Sequence, residues 1–173
     1  MARSSELLAL TGQRREEVAQ MAWDEVSLPT ATWMLPAART KNGKPHVVHL
    51  SAPAIDLLSA PSPAGPLVFS VDGRKPFQNF SAAKRRLDAL SGVTGWRLHD
   101  LRRTIVSGMA RLGVAPHVAD RVLNHTAGTI KGVAAVYQRY EFLPERKKAL
   151  DLWGEHVALL MRNETQQPEV RAA

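Results

Sequence analysis

Apolar residues recur at helical spacing in several separated blocks of the chain. Leu101, Ile105, Met109 and Leu112 stand three or four residues apart, and so do Leu150, Trp153, Val157 and Leu160. Helices are therefore predicted from position 99 to a stop at Gly113, and over 144–161. Shorter helical blocks are read at 4–10, 13–22, 81–90 and 130–140. Ser51 is placed to cap a helix running to about Leu58 with Pro53 in its first turn, and Pro116 opens another reaching Leu123. Glu16 and Glu17 fall in the first turn of the 13–22 block, where the helix dipole favours acids.

Alternating or short β-rich runs occupy the first third and a little beyond. Segments 23–28 and 32–35 read as short strands around Pro29-Thr30. Residues 39–41 and 44–50 read as a hairpin closed by Asn42-Gly43, the favoured two-residue turn. A short strand is read at 67–70, after a proline-rich surface loop over 60–66, with Asp72-Gly73 turning the chain. The pattern predicts an α+β fold that is mainly helical, with a small antiparallel sheet near the N-terminal third. A single domain over 1–162 is expected, followed by a polar, disordered tail over 163–173. The sequence has no internal repeat.

Composition narrows the class. The chain has 173 residues, 45% of them hydrophobic, which suits one globular domain. Lys and Arg number 23 against 16 acids, a net charge of +7, which suits a polyanionic partner. There is no cysteine, so disulfides, thiolate zinc sites and thiol nucleophiles are excluded, and an intracellular setting is favoured. No apolar run approaches the length of a membrane span or forms a signal peptide.

Chemistry concentrates in Trp96-Arg97-Leu98-His99-Asp100-Leu101-Arg102-Arg103-Thr104. His99 and Arg102, three apart at a predicted helix start behind Gly92 and Gly95, share a face where backbone N–H groups already favour an anion. A phosphate is the expected occupant. Metal chemistry is not expected: His46 and His49 would point to opposite faces of a strand, and no HExxH or carboxylate cluster accompanies them.

Further groups fall into an order. Thr11, Gly12, Arg14 and Glu17 form a TGxRxxE pattern; Lys41 lies beside the Asn-Gly turn; His99 and Arg102 form HxxR; His125 follows Leu123-Asn124; and Tyr137 comes twelve residues later. This ordered set resembles the catalytic domain of the tyrosine recombinase (phage integrase) family, over about 7–160. The Lys41 turn and the stretch from Tyr137 to Trp153 resemble its prophage-type branch. The resemblance implies a tyrosine recombinase catalytic-domain fold and DNA strand cleavage and rejoining through a 3′-phosphotyrosyl bond, without metal or nucleotide cofactor. It implies Arg14 and Arg102 as the phosphate clamp, Tyr137 as nucleophile and His99 as its general base. Lys41 would be the proton donor to the departing 5′ oxygen, and His125 a phosphate hydrogen-bonder. Fixed cations are needed because charge builds on the non-bridging oxygens, and arginine matches phosphate geometry without losing its proton.

The residues admit other readings. Arg14 could simply pair with Glu17, His99 could be a helix-end histidine, and Tyr137 a core-edge aromatic. Lys44 competes with Lys41 as its cross-strand neighbour, and Tyr140 with Tyr137 about one helical turn on. Arg15 and Arg103 point away from their neighbours and are assigned to flanking phosphates or solvent, and Lys84, Arg85 and Arg86 to a solvated helix face. Two positions depart from the family pattern: Glu16 beside the arginine, and Asn124 where glycine is often found.

The partners implied are double-stranded DNA attachment sites, further recombinase protomers in a synaptic complex, and accessory directionality factors. A bacterial, cytoplasmic and nucleoid-associated location is implied, and no membrane. A core-binding domain that would form the second jaw on DNA is expected outside this chain. The 144–161 helix is expected to dock on a neighbouring protomer or on its own domain. The alternatives are a DNA-binding module from an inactive prophage integrase, or an activity that only relaxes DNA, like a type IB topoisomerase.

Overall fold

The structure, a computed structural model, describes residues 2–61, 64–125 and 140–166. Helix α1 (Ala2–Thr11) is followed by the short α2 (Arg15–Ala19) and a 3-10 turn at Trp23–Glu25. Strands β1 (Val26–Ser27), β2 (Thr32–Leu35) and β3 (His46–His49) come next, with a second 3-10 turn at Ala37–Arg39. The remainder is α3 (Ala52–Ser59), α4 (Phe80–Ser91), α5 (Asp100–Arg111), α6 (Pro116–Val122) and α7 (Leu143–Gln166). This is the mainly helical α+β architecture expected, with the antiparallel sheet ordered β1-β2-β3.

The sheet departs from the sequence expectation in three places. The strand read at 23–28 is cut to β1, Val26–Ser27, because Trp23–Glu25 form a 3-10 turn in which Glu25 accepts the Ala22 N–H. Residues 39–41 are not a strand: β3 pairs with β2 in the register Thr32↔His49 to Leu35↔His46. The two are joined by 36–45 rather than by a two-residue turn. Arg39 is drawn the other way, into an ion pair with Glu25 and a bond to the Glu17 carbonyl. Thr40 Oγ1 then lies 2.9 Å from Ala37 O and 2.8 Å from Lys44 O, closing the connection into a compact loop. Lys41 and Lys44 are therefore not cross-strand neighbours. Segment 67–70 is likewise not a strand but a single antiparallel bridge between Leu67 and Ala22. Just beyond it the chain turns back, with Asp72 Oδ1 accepting the Arg74 and Lys75 N–H groups.

The helix read at 13–22 is reduced to 15–19: Gly12 to Arg14 serve as a junction before it, and Gln20 ends it. Gly12 has φ +68, open to glycine, and a Cβ there would lie 2.6 Å from Leu123 Cδ2. Helix α4 ends on Gly92 at φ +68, and Leu112 and Gly113 stop α5.

Apolar faces of α1, α3, α5, α6 and α7 meet around Leu7, Leu50, Leu58, Ile105, Met109 and Leu150, all at most 2% exposed. Burial of this kind contributes about 1.5–3 kcal/mol per large side chain. Helix α7 packs on its own domain, the second of its two expected positions: Trp153 is buried and its Nε1 donates to Ala9 O at 2.7 Å. Two glycines permit this fit. A Cβ on Gly108 would meet the Trp153 ring at 2.2 Å, and one on Gly154 would meet Ser51 Oγ at 2.4 Å. The helix continues to Gln166, past Met161, where the apolar periodicity stops. Among the described residues no helix is long and apolar enough to cross a membrane.

Candidate active site

A cleft of about 660 Å³ opens between the α1–α2 junction, the 36–45 loop, the start of α4 and the start of α5. Arg14, Lys41, His99 and Arg102 all line it, together with Arg15, Arg39, Lys84 and Arg97. Four of the six residues singled out from the sequence thus share one cavity, although the first and last of them, Arg14 and Arg102, are 88 residues apart in the chain.

Arg102 forms its floor. Its residue is only 5% exposed, and its guanidinium donates to Gly12 O, to Leu123 O at 2.8 Å and to His125 Nε2 at 3.2 Å. Burial, and then the positive charge of Arg14, lowers its pKa to about 10, so it stays cationic at neutral pH. Gly12 has its place in the TGxR pattern for two reasons at once: its φ needs glycine, and its carbonyl fixes Arg102.

Arg14 caps α2 in an extended conformation. Glu17, 2% exposed, accepts the Arg14 backbone N–H at 2.8 Å and the guanidinium at 3.0 Å. The pairing set against a phosphate role is therefore real, and it coexists with a position in the cleft: the carboxylate aims the guanidinium. Glu16 instead pairs with Arg15 at the surface. Arg15 also stacks over Phe80, and Lys84 over Trp96, so the far wall of the cleft is built of cations on aromatic faces.

His99 precedes α5 and is exposed on the rim; Lys41 is exposed on the 36–45 loop. Lys44 does not line the cleft. His125 is held from two sides: Nε2 by Arg102, and Nδ1 at 3.4 Å from Asp120 Oδ1, while its backbone N–H donates to Asp120 O. Burial lowers its pKa against the raising effect of the Asp120 hydrogen bond. A neutral ring with its proton on Nδ1 satisfies both contacts. Tyr137 lies outside the described residues. Tyr140 is 54% exposed, does not line the cleft, and places its hydroxyl 3.4 Å from Glu145 Oε2.

The sequence reading puts Lys84 on a solvated face and gives Trp96 no role, yet they pack together in the cleft wall; sequence reasoning missed Arg39 there, and Asp120 and Asn42 beside the site. Only their closeness to the chosen motifs could have flagged them. Among the described residues no group of three or more His, Asp or Glu could hold a metal ion.

A mainly helical domain with a small sheet, presenting a cationic cleft around a rigidly held guanidinium, is suited to a phosphodiester. The model of the phage integrase family matches residues 3–140, and the chain belongs to that family. It is 31% identical over 155 residues to prophage integrase IntA of Escherichia coli K12, covering 86% of this chain and 36% of that protein. It is 30% identical over 158 residues to prophage integrase IntZ of the same strain, covering 87% of this chain and 38% of the relative. The chain thus spans little more than a third of the curated relatives it matches. The fold is that of the integrase from mycobacterium phage Brujita, with TM-score 0.69 at 17% identity over 88% of this chain and 50% of the other.

Proposed function

We propose that the chain is the catalytic domain of a site-specific DNA recombinase that cuts and rejoins strands through a 3′-phosphotyrosyl intermediate, without a metal. The observation carrying this reading is the convergence of Arg14, Lys41, His99 and Arg102 on one cleft, with His125 bonded to Arg102.

A scissile phosphate in the cleft takes its two non-bridging oxygens to Arg14 and Arg102. The guanidinium of Arg102 is already ordered by main-chain carbonyls, so it needs little reorganisation as charge builds. The Tyr137 oxygen attacks phosphorus and its proton passes to His99. The bond from phosphorus to the 5′ oxygen breaks, and Lys41 supplies the proton that oxygen needs. His125, neutral when no phosphate is bound, takes a second proton on Nε2 as the phosphate enters and donates it to a phosphate oxygen beside Arg102, while Nδ1–H stays on Asp120. One phosphoester replaces another, so the reverse attack by a 5′-hydroxyl reseals the strand with no nucleotide cofactor.

The reading extends to double-stranded attachment sites as substrate, to assembly with further protomers, to accessory directionality factors and to action at the bacterial nucleoid. It takes 1–162 as the catalytic unit, with the core-binding domain as the second jaw on DNA.

The test is a nicked suicide duplex made from the DNA junctions bounding the element that encodes the chain. A denaturant-resistant protein–DNA adduct is expected, formed equally well in EDTA, lost in Tyr137→Phe and kept in Tyr140→Phe. DNA binding without any adduct would instead favour a binding module, and loss of the adduct only in Tyr140→Phe would move the nucleophile.

A further inference from the structure

Asn124 adopts φ +53, a left-handed conformation that asparagine tolerates and glycine adopts at no steric cost. Its side chain therefore needs a reason of its own, and the structure supplies one. Asn42 Nδ2 donates to Asn124 Oδ1 at 2.7 Å, joining positions 82 residues apart. The orientation of the Asn42 amide is set independently, because its Oδ1 accepts the Lys44 N–H at 3.1 Å and so shapes its own turn. With the oxygen engaged there, Nδ2 faces outward and requires an acceptor, which Asn124 provides. Asn124 Nδ2 is buried and has no hydrogen-bond partner among the described residues, so it is the bond to Asn42 that engages this side chain.

Each member of the pair is one residue from a site group: Asn42 follows Lys41, which lines the cleft, and Asn124 precedes His125, which bonds Arg102. The loop carrying Lys41 is ten residues long, 36–45, and exposed around the lysine. Its own hydrogen bonds through Thr40 give it shape, while the asparagine pair ties it to the end of α6.

We propose that the Asn42–Asn124 amide pair is a latch holding the Lys41 turn against the His125 loop, which makes both asparagines positioning residues for the proton donor to the departing oxygen. The proposal rests on the reading of Lys41 given above.

The experiment compares two nicked suicide duplexes made from the junctions of the encoding element. One has the natural 5′ oxygen at the scissile bond, and the other has sulfur there. A thiolate leaves without a proton, so a defect in proton donation disappears on the sulfur substrate.

Asn124→Gly keeps the backbone conformation, and Asn42→Ser keeps an acceptor for Lys44 N–H but is too short to cross the gap. On the oxygen substrate each is expected to slow adduct formation about tenfold, within the range misplacement of a reacting group produces. The double variant should be no slower than the worse single one, and all three should recover on sulfur. Lys41→Ala should show a larger loss with the same recovery.

Asparagine variants that are unimpaired, additive, or equally slow on both substrates would overturn the latch while a sulfur-rescued Lys41→Ala keeps the lysine in its role. A Lys41→Ala defect of equal size on both substrates would overturn the reading of Lys41, and the latch with it.

Discussion

Two buried guanidiniums, one at the α5 end of the molecule and one on α7, are held in nearly the same way and face opposite situations. Arg102 is 5% exposed and Arg146 is 4% exposed. Each donates to main-chain carbonyls, Arg102 to Gly12 and Leu123, Arg146 to Glu141 at 3.3 Å and to Val47. Each abuts a histidine, Arg102 meeting His125 at 3.2 Å and Arg146 meeting His46 at 3.3 Å. Burial lowers the pKa of both.

What differs is the far side of the guanidinium. Arg102 lines the open cleft with Arg14, whereas Arg146 is enclosed between β3 and the start of α7, and its histidine is buried rather than exposed. His46, pushed down to about 3 by burial and by the Arg146 charge, stays neutral and donates Nε2–H to Val122 O at 3.2 Å. Main-chain carbonyls make a guanidinium rigid in either place. Under the proposed function an opening to solvent makes the rigid guanidinium available to a phosphate; without one, it is a brace.

Substitutions should separate the two arginines by readout. The largest effect is expected for Arg102→Lys, which should lower the rate of adduct formation by about 10²–10³-fold. Lysine lacks the fork, and the burial that lowers Arg102 would also lower a lysine from its ordinary value. Measured cleavage within a few-fold of wild type would erase the contrast.

Arg146→Met should act on stability instead, costing about 3 kcal/mol by denaturant unfolding, because the Val47 and Glu141 carbonyls lose their donor. A variant as stable as wild type would show that the brace carries no weight.

Gly12→Ala should cost about 2 kcal/mol in the same assay, from its positive φ and the clash with Leu123. It should also slow cleavage, since Gly12 O anchors Arg102.

The smallest effect is a pH slope. The folded pKa of His46, about 3, lies below its ordinary 6.5, so the unfolded chain takes up the proton first as pH falls. Its contribution is whole above about pH 6.5 and is lost progressively as pH drops toward 3. His46→Gln should flatten the slope of stability between pH 6.5 and 4; an unchanged slope would mean that His46 is not neutral in the fold.

Much of the architecture was legible in the chain because it depends on neighbours in sequence. The periodicity of Leu101, Ile105 and Met109 located α5, Ser51 with Pro53 located the start of α3, and β2 over 32–35 was read to the residue. Expectations failed where a distant group outbid local propensity. Asn42-Gly43 does mark a turn, yet Glu25 and Glu17 draw Arg39 out of any strand. The Leu67 segment finds a single bridge partner. Arg146 was invisible as a brace, since a basic residue in a predicted amphipathic helix reads as solvated.

The candidate site divides in the same way. Residue types and their order were written in the sequence: an arginine behind a glycine junction, a histidine three before a second arginine, and a later histidine. The Arg14–Glu17 pair is local, three residues apart, but that Gly12 and Leu123 hold Arg102 depends on chain segments 90 and 21 residues apart meeting in space. The same is true of Asn42 reaching Asn124. Covalent order sets which groups are present and which short helices carry them. Burial of the shared apolar core sets the distances between them, because it decides which carbonyls a guanidinium meets and which side is left open to the cleft.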